Sequence, residues 1–174
     1  MLYKIYQLVV CLPLLGLSTL LTALLTIVGC TLGKASFWAY WPPCIWCRLM
    51  CRIPLLPVEV VGREKLQKDT SYVFVSNHQG PYDIFLVYGY LGHSFRWLMK
   101  KELRKIPFVG TACAVAGHIF VDRSNPRAAL QSVELVKKEL VDGISTVIFP
   151  EGTRTKTGEM GRFKQGAFKI AMDL

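Results

Sequence analysis

The sequence predicts an α/β domain that follows an N-terminal membrane segment. After Arg52, short apolar runs of strand type alternate with amphipathic stretches, which is the pattern of a layered α/β fold. Before that point, no charged side chain occurs between Lys4 and Lys34. A chain of 174 residues is long enough for one globular domain and a small appendage. We therefore expect membrane-anchoring helices over residues 1–54 and an α/β domain over residues 55–174.

The first apolar stretch is long enough to cross a bilayer. Residues 8–28 are uncharged and mostly apolar, and about 20 such residues span a hydrocarbon core of about 30 Å as a helix. A cleaved signal peptide is one alternative, but no small-residue cleavage pattern follows. A helix lying in the interface is another, favoured by the mildly polar stripe of Ser18, Thr22 and Thr26. We predict a spanning helix, bent near Pro13.

Aromatic and basic residues follow this segment. Residues 37–52 hold three tryptophans and two arginines, the mixture expected at the level of lipid headgroups, and they predict an interfacial helix after a break at Pro42 and Pro43. The net charge of +9 also raises the possibility of nucleic acid, but the basic residues are scattered among apolar ones and no nucleic-acid motif occurs. We expect anionic membrane lipid as the partner, and no nucleic acid.

Six cysteines raise the possibility of a disulfide or zinc site. The only close set is Cys44, Cys47 and Cys51, and its spacing places the three thiols on one face of a helix. No second Cys or His pair in the sequence completes a tetrahedral zinc site. We predict reduced, packed thiols without a metal, as in a protein that faces the cytosol.

Five short strands and three helices are expected after the membrane segment. The strand candidates are residues 58–61, 72–75, 95–99, 117–121 and 146–149. The helix candidates are residues 84–91, a helix that begins at Asn125-Pro126 and ends at Gly143, and a helix after Lys164.

The most informative local feature is a His/Asp pair in a loop. His78 follows a predicted buried strand, and Asp83 lies just before a predicted helix. A Gly80-Pro81 turn lets the chain fold back, so that Asp83 can accept the Nδ1 proton of His78 and leave Nε2 free to take a proton from an alcohol. Alternatively, Asp83 only caps the helix and His78 packs in the loop. The spacing by itself leaves both interpretations open.

A second polar loop follows another apolar strand. Residues 150–154 form a turn shaped by Pro and Gly, in which Arg154 can bind a phosphate monoester through two hydrogen bonds and the Gly152 amide can approach closely. Two more cations stand at predicted strand ends, although each taken singly is more often a solvated surface charge. The candidate binding residues are Lys100, Arg123, Glu151, Gly152, Thr153 and Arg154.

Taken together, these residues resemble the glycerolipid acyltransferase family, and most closely the 1-acylglycerol-3-phosphate acyltransferases of bacterial membranes. The resemblance covers the chain from about Val58 to its end, and the joint occurrence of its motifs at this separation is highly specific. Four blocks match in order: His-x-x-x-x-Asp at 78–83, a lysine-rich block at 100–110, Phe-Val-x-Arg at 120–123, and Phe-Pro-Glu-Gly-Thr-Arg at 149–154.

The resemblance implies a mixed sheet flanked by helices and an enzyme of phospholipid biosynthesis. The donor would be an acyl thioester on coenzyme A or acyl carrier protein, the acceptor lysophosphatidic acid, the product phosphatidic acid, and no other cofactor would be needed. His78 would act as general base with Asp83 holding its ring. The phosphate would be neutralised by Lys100, Arg123 and Arg154, with Glu151 and Thr153 ordering the arginine or a glycerol hydroxyl.

Two other functions stay open at this point. One is acylation of a different lyso-lipid, such as lyso-ornithine lipid or lyso-cardiolipin, because the motifs specify the chemistry better than the headgroup. The other is a non-catalytic membrane adaptor that binds anionic headgroups, although a binding module has no need of a paired base.

The sequence also predicts the orientation of the protein in the membrane and the extent of its catalytic domain. Basic residues after the apolar segment outnumber Lys4, which predicts that the catalytic domain faces the cytoplasm. The resemblance implies that the membrane is the inner membrane of a bacterium. Members of the family usually continue into a further apolar block that contains a proline. We expect this block to be missing here, because the sequence stops at Leu174.

Overall fold

A computed structural model describes residues 1–122, 134–136, 140, 143–155 and 157–172. The chain divides into two compact units that interleave along the sequence. The first comprises Met1–Arg63, Ile84–Gly92 and Lys105–Gly117, and the second comprises Glu64–Asp83, His93–Arg104 and His118–Leu174.

The first unit is built from helices around one long apolar helix. Helix α1, Leu2–Leu32, has 31 residues and is long and apolar enough to cross a membrane. At 1.5 Å per residue it is about 46 Å long, which exceeds a hydrocarbon core of about 30 Å. A π-type turn at Gln7–Cys11 precedes Pro13. The widened turn accommodates a residue that has no N–H to donate and whose ring crowds the preceding turn.

Four shorter helices lie wholly or mostly in the same unit. Helix α2 is Ala35–Trp38, α3 is Trp41–Arg52, α4 is Tyr82–Tyr90 and α5 is Val109–Val115. The first two residues of α4 belong to the second unit and the rest to the first. Both α3 and α5 contact α1.

Two contacts with α1 depend on the residue types at the interface. A Cβ atom on Gly29 would lie 2.2 Å from the ring of Trp38, so only glycine lets this indole pack on the α1 backbone. The indole N–H of Trp46 donates to the Thr19 hydroxyl at 3.0 Å. A polar group on the apolar helix thus finds its partner inside the protein.

Helix α3 differs in one detail from the expected interfacial helix. Pro42 and Pro43 lie in its first turn, where no N–H is needed, and do not precede it as a break. Cys44, Cys47 and Cys51 are buried on one face, as their spacing predicts. Desolvation raises the pKa of the Cys47 thiol well above its usual range.

The second unit contains a four-stranded parallel sheet. Its strands are β1, Val73–Val75; β2, Phe95–Lys100; β3, Ile119–Val121; and β4, Ser145–Ile148. The order across the sheet is β1-β4-β2-β3, and all three pairings are parallel. The family resemblance implied a mixed sheet, whereas the described strands run in one direction only.

One face of this sheet carries an apolar core. Ile119 and Val121 of β3 are buried together with Val136 and with Ile170 of helix α6, Gly166–Met172. Alternate residues of β3 point to this face, which is why Ile119 and Val121 are buried and Phe120 between them is less so.

The predicted elements differ from the described structure in several places. Residues 58–61 are not a strand; Val61 is 84% exposed, and the segment pairs with none of the described strands. A β-propensity run without a neighbouring strand has no partners for its backbone N–H and C=O groups. Helix α5 and a 3₁₀ turn at Lys101–Lys105 were not predicted. The helix expected from Asn125 to Gly143 lies mostly outside the described residues. Within this range, the described residues 134–136 are helical.

Candidate active site

The motif residues of the second unit gather at one edge of the sheet. Because the four strands are parallel, the segments that follow them leave from the same carboxyl edge, where sites of open α/β sheets form. The loop with His78 follows β1, and the Glu-Gly-Thr-Arg turn follows the adjacent strand β4. Lys100 is the last residue of β2.

His78 and Asp83 form the predicted contact. Nδ1 of His78 lies 2.7 Å from Oδ2 of Asp83, and the same oxygen accepts the backbone N–H groups of Gln79 at 2.6 Å and Gly80 at 2.9 Å. Asp83 also stands in the first turn of α4, so it orders the loop before this helix as well as the imidazole. A proton on Nδ1 donated to the carboxylate leaves Nε2 as the acceptor nitrogen.

An aromatic ring packs against one face of the His78 imidazole. It stacks on Phe149 with ring centroids 4.1 Å apart, and Phe149 in turn stacks on Trp97. From the sequence, Phe149 was the end of a strand and the first residue of the Phe-Pro-Glu-Gly-Thr-Arg block, with no role of its own in the site. The signal was its position directly before the Pro-Glu-Gly-Thr-Arg turn, which fixes the ring where that turn meets the His78 loop.

Glu151 connects the two loops. One carboxylate oxygen accepts the N–H of His78 at 2.6 Å, and the other accepts the N–H of Gly161 at 2.7 Å. The residue is 9% exposed. We expected Glu151 to order the arginine or a glycerol hydroxyl, whereas its carboxylate lies on two backbone amides. Burial explains this position, because a buried carboxylate needs donors for both oxygens.

A further backbone hydrogen bond strengthens this connection. The N–H of Thr155 donates to the carbonyl of His78 at 2.9 Å. Both the N–H and the C=O of His78 are therefore bound by the segment that carries Glu-Gly-Thr-Arg. The two sequence motifs form one hydrogen-bonded unit.

Gly152, Thr153 and Arg154 of the turn differ in their contacts and exposure. Gly152 has φ of +77°, which favours glycine, and its N–H donates to the Phe149 carbonyl at 3.0 Å. We expected this amide to face a phosphate; instead it closes the turn. Thr153 and Arg154 are exposed and follow directly.

The other candidate cations stand apart from this group. Lys100 is exposed at the end of β2. Its neighbour Lys101 pairs with Asp122, which follows β3, and this hydrogen bond raises the pKa of Lys101. Arg123 lies outside the described residues. The structure thus joins His78, Asp83 and Glu151 by direct hydrogen bonds and places Lys100 at the same sheet edge.

A parallel α/β sheet whose carboxyl edge carries an oriented imidazole beside a Glu-Gly-Thr-Arg turn defines an acyltransferase site. Residues 57–174 match the family model described as Acyltransferase, and the chain belongs to this family. The match begins within one residue of the position where the sequence resemblance was expected to start.

Similar proteins are found in plants and bacteria. The chain is 38% identical over 119 residues to the chloroplastic 1-acyl-sn-glycerol-3-phosphate acyltransferase LPAT1 of Arabidopsis thaliana. The aligned region covers 68% of this chain and 33% of that relative. It is 34% identical over 133 residues to the 1-acyl-sn-glycerol-3-phosphate acyltransferase of Pseudomonas aeruginosa, covering 74% of this chain and 51% of that one.

A solved structure shares the fold. The crystal structure of the 1-acyl-sn-glycerophosphate acyltransferase PlsC from Thermotoga maritima matches with a TM-score of 0.63 and 30% identity, over 75% of this chain and 52% of that chain. The chain thus spans between about a third and a half of the length of these relatives. Helix α1 fits a membrane-associated protein.

Proposed function

We propose that this chain carries the catalytic site of a 1-acyl-sn-glycerol-3-phosphate acyltransferase. The reaction moves an acyl chain from a thioester to the 2-hydroxyl of lysophosphatidic acid and yields phosphatidic acid. The observation that supports it most directly is the 2.7 Å contact between His78 Nδ1 and Asp83, which leaves Nε2 to accept a proton beside the Glu-Gly-Thr-Arg turn.

In the proposed reaction, Nε2 of His78 removes the proton of the hydroxyl group as its oxygen attacks the thioester carbonyl. Asp83 fixes the tautomer and stabilises the imidazolium that forms. When the tetrahedral intermediate collapses, the C–S bond breaks and the imidazolium returns the proton to the departing thiolate. A thioester is already activated, so no covalent enzyme intermediate and no cofactor besides the donor are required.

The acceptor phosphate is bound by cations at the carboxyl edge of the sheet. Arg154 lies in the turn that is bonded to the His78 loop, and its planar guanidinium suits a phosphate group. Lys100 and Arg123 follow neighbouring strands in sequence and are proposed to complete the charge. Thr153 offers a hydroxyl beside Arg154.

The proposed reaction also implies an acyl donor and a side of the membrane. The donor is an acyl group on coenzyme A or on acyl carrier protein. The basic residues that follow α1 support a location of the site on the cytoplasmic side of the cell membrane, where such donors are made.

Acyl transfer in detergent tests the proposal. We would supply the purified chain with labelled acyl thioester and lysophosphatidic acid, and compare the parent with His78→Ala and Asp83→Asn. Phosphatidic acid from the parent, with a loss of at least about 100-fold in both variants, is expected. Parallel assays with lyso-ornithine lipid and lyso-cardiolipin test the headgroup. Product only from one of these would replace the proposed acceptor, and no product from any would favour a lipid-binding adaptor.

A further inference from the structure

The side chain of Lys164 lies on the Glu-Gly-Thr-Arg turn. A Cβ atom on Gly152 would meet Nζ of Lys164 at 2.9 Å and Cε at 3.5 Å, so the end of the lysine covers the open face of this glycine. The N–H of Lys164 donates to the carbonyl of Pro150 at 3.0 Å. Both the backbone and the ammonium group of Lys164 are therefore positioned on the turn.

The segment before Lys164 is bonded to the same turn. Gly161 donates its N–H to Glu151, whose other oxygen accepts the N–H of His78. Lys164 is thus connected to the proposed base through one carboxylate and a few backbone groups. These hydrogen bonds fix the backbone of Lys164 beside the turn, so its ammonium group stays within one side-chain length of it.

The charge of Lys164 has no carboxylate partner in the part of the chain that the structure describes. The ion pairs there are His78–Asp83 and Lys101–Asp122. Glu151, the acidic residue of the turn, uses both oxygens on backbone N–H groups. A positive charge held against the turn in this way is available to an anion.

We infer that Lys164 is a further phosphate-binding residue, which contacts the acceptor phosphate together with Arg154. This inference rests on the proposed function, because that function supplies the phosphate. In lysophosphatidic acid, only two carbon atoms separate the reacting hydroxyl oxygen from the phosphate ester oxygen. A cation for the phosphate must therefore lie near the base, and a phosphate monoester carries close to two negative charges at neutral pH.

The geometry also assigns a role to Gly152. A side chain at this position would displace the Lys164 ammonium group as well as strain a backbone with φ of +77°. The glycine of the motif makes room for the lysine, while its own N–H closes the turn.

Equilibrium binding of lysophosphatidic acid in detergent tests the inference. All variants carry His78→Ala, which prevents turnover, and Lys164→Gln is compared with Lys169→Gln, an equal loss of charge at an exposed position in α6. We expect Lys164→Gln to weaken binding about fivefold or more and Lys169→Gln to change it less than twofold. Lys164→Arg should retain most of the affinity.

Monoacylglycerol, which lacks the phosphate, serves as the second probe. The affinity for monoacylglycerol should be the same in the His78→Ala/Lys164→Gln double variant and in the His78→Ala single variant. Equal binding of lysophosphatidic acid by the two glutamine variants, or an equal loss for the uncharged probe, would overturn the assignment. Failure of the proposed function is seen separately, as a parent chain that binds lysophosphatidic acid in a Lys164-dependent manner but forms no phosphatidic acid.

Discussion

The imidazole of His78 stacks on the phenyl ring of Phe149, with ring centroids 4.1 Å apart and the ring planes 14° apart. Phe149 is itself stacked on Trp97, which is 6% exposed. The hydrogen bond to Asp83 determines which ring nitrogen is left as an acceptor, and the stack determines the plane of the ring. Together they fix the direction in which Nε2 can accept a proton.

Phe149→Leu should lower kcat by about 10-fold with little change in the acceptor KM. A leucine fills much of the volume but leaves the imidazole free to tilt, and misplacement of a catalytic group costs rate more than binding. Phe149→Tyr keeps the ring and should stay within about threefold of the parent. Steady-state acyl transfer measures both variants, and a Leu variant with the parental kcat would exclude a positioning role.

Glu151→Gln should destabilise the protein by about 1–3 kcal/mol and lower its activity. An amide offers one acceptor oxygen where two part-buried backbone N–H groups need partners, so one of these N–H groups faces the NH₂ group of the glutamine instead. Thermal unfolding in detergent gives the stability change. Hydrogen exchange should show loss of protection at the amide of His78 or of Gly161, and unchanged protection at both would contradict the bridging role of Glu151.

Gly152→Ala should cost about as much stability as Gly158→Ala but should weaken the binding of lysophosphatidic acid more. Both glycines have positive φ, +77° and +86°, so the backbone penalty of about 1 kcal/mol is common to both. An added Cβ meets Lys164 at position 152 and nothing within 4 Å at position 158. The end of this exposed lysine can shift at little cost in stability, so similar melting temperatures but a lower affinity of Gly152→Ala for lysophosphatidic acid are expected. Equal affinities of the two alanine variants would show that the position of the ammonium group does not matter.

Arg154→Ala should raise the acceptor KM at least about fivefold and leave kcat nearly unchanged. The contact proposed for Arg154 is to the phosphate, which is bound equally in the ground state and in the transition state, and not to the reacting oxygen. Initial rates over a range of lysophosphatidic acid concentrations separate the two parameters. An unchanged KM would remove Arg154 from the phosphate site.

Stability should fall on acidification because of His118. Burial, with a smaller contribution from Arg96, lowers the pKa of His118 to about 3, and its Nδ1 accepts the N–H of Trp97. Below pH 6.5 the unfolded chain binds a proton that the folded chain does not. The contribution of neutral, buried His118 to the free energy of unfolding is therefore fully present above pH 6.5. It is lost as the pH falls towards 3, by up to about 1.4 kcal/mol per pH unit.

His118→Gln removes this titration and keeps an acceptor for Trp97. Melting temperatures in detergent at pH 7, 5 and 4 should decline less steeply in the variant than in the parent. Parallel declines would mean that His118 is not buried in its neutral form.

The sequence by itself determined the residues that carry the proposed chemistry and most of the elements that present them. An uncharged run of membrane-spanning length, strand-type runs before two polar loops, and a His and an Asp five residues apart are all local patterns, and local patterns fix periodicity and loop position. The membrane helix, β1, β2, β3 and β4 therefore lie close to where they were predicted. Residues 58–61 were the exception, because a strand also needs a neighbour that no local pattern specifies.

Only the tertiary structure decided how the two motifs are joined. Glu151 reaches the amide of His78 across 73 residues of sequence, Phe149 stacks on the His78 ring, and the ammonium group of Lys164 lies at Gly152. These contacts follow from the strand order, which places β4 beside β1 at one carboxyl edge. That order is set by packing of the whole sheet, and a spacing of residues along the chain carries no information about it.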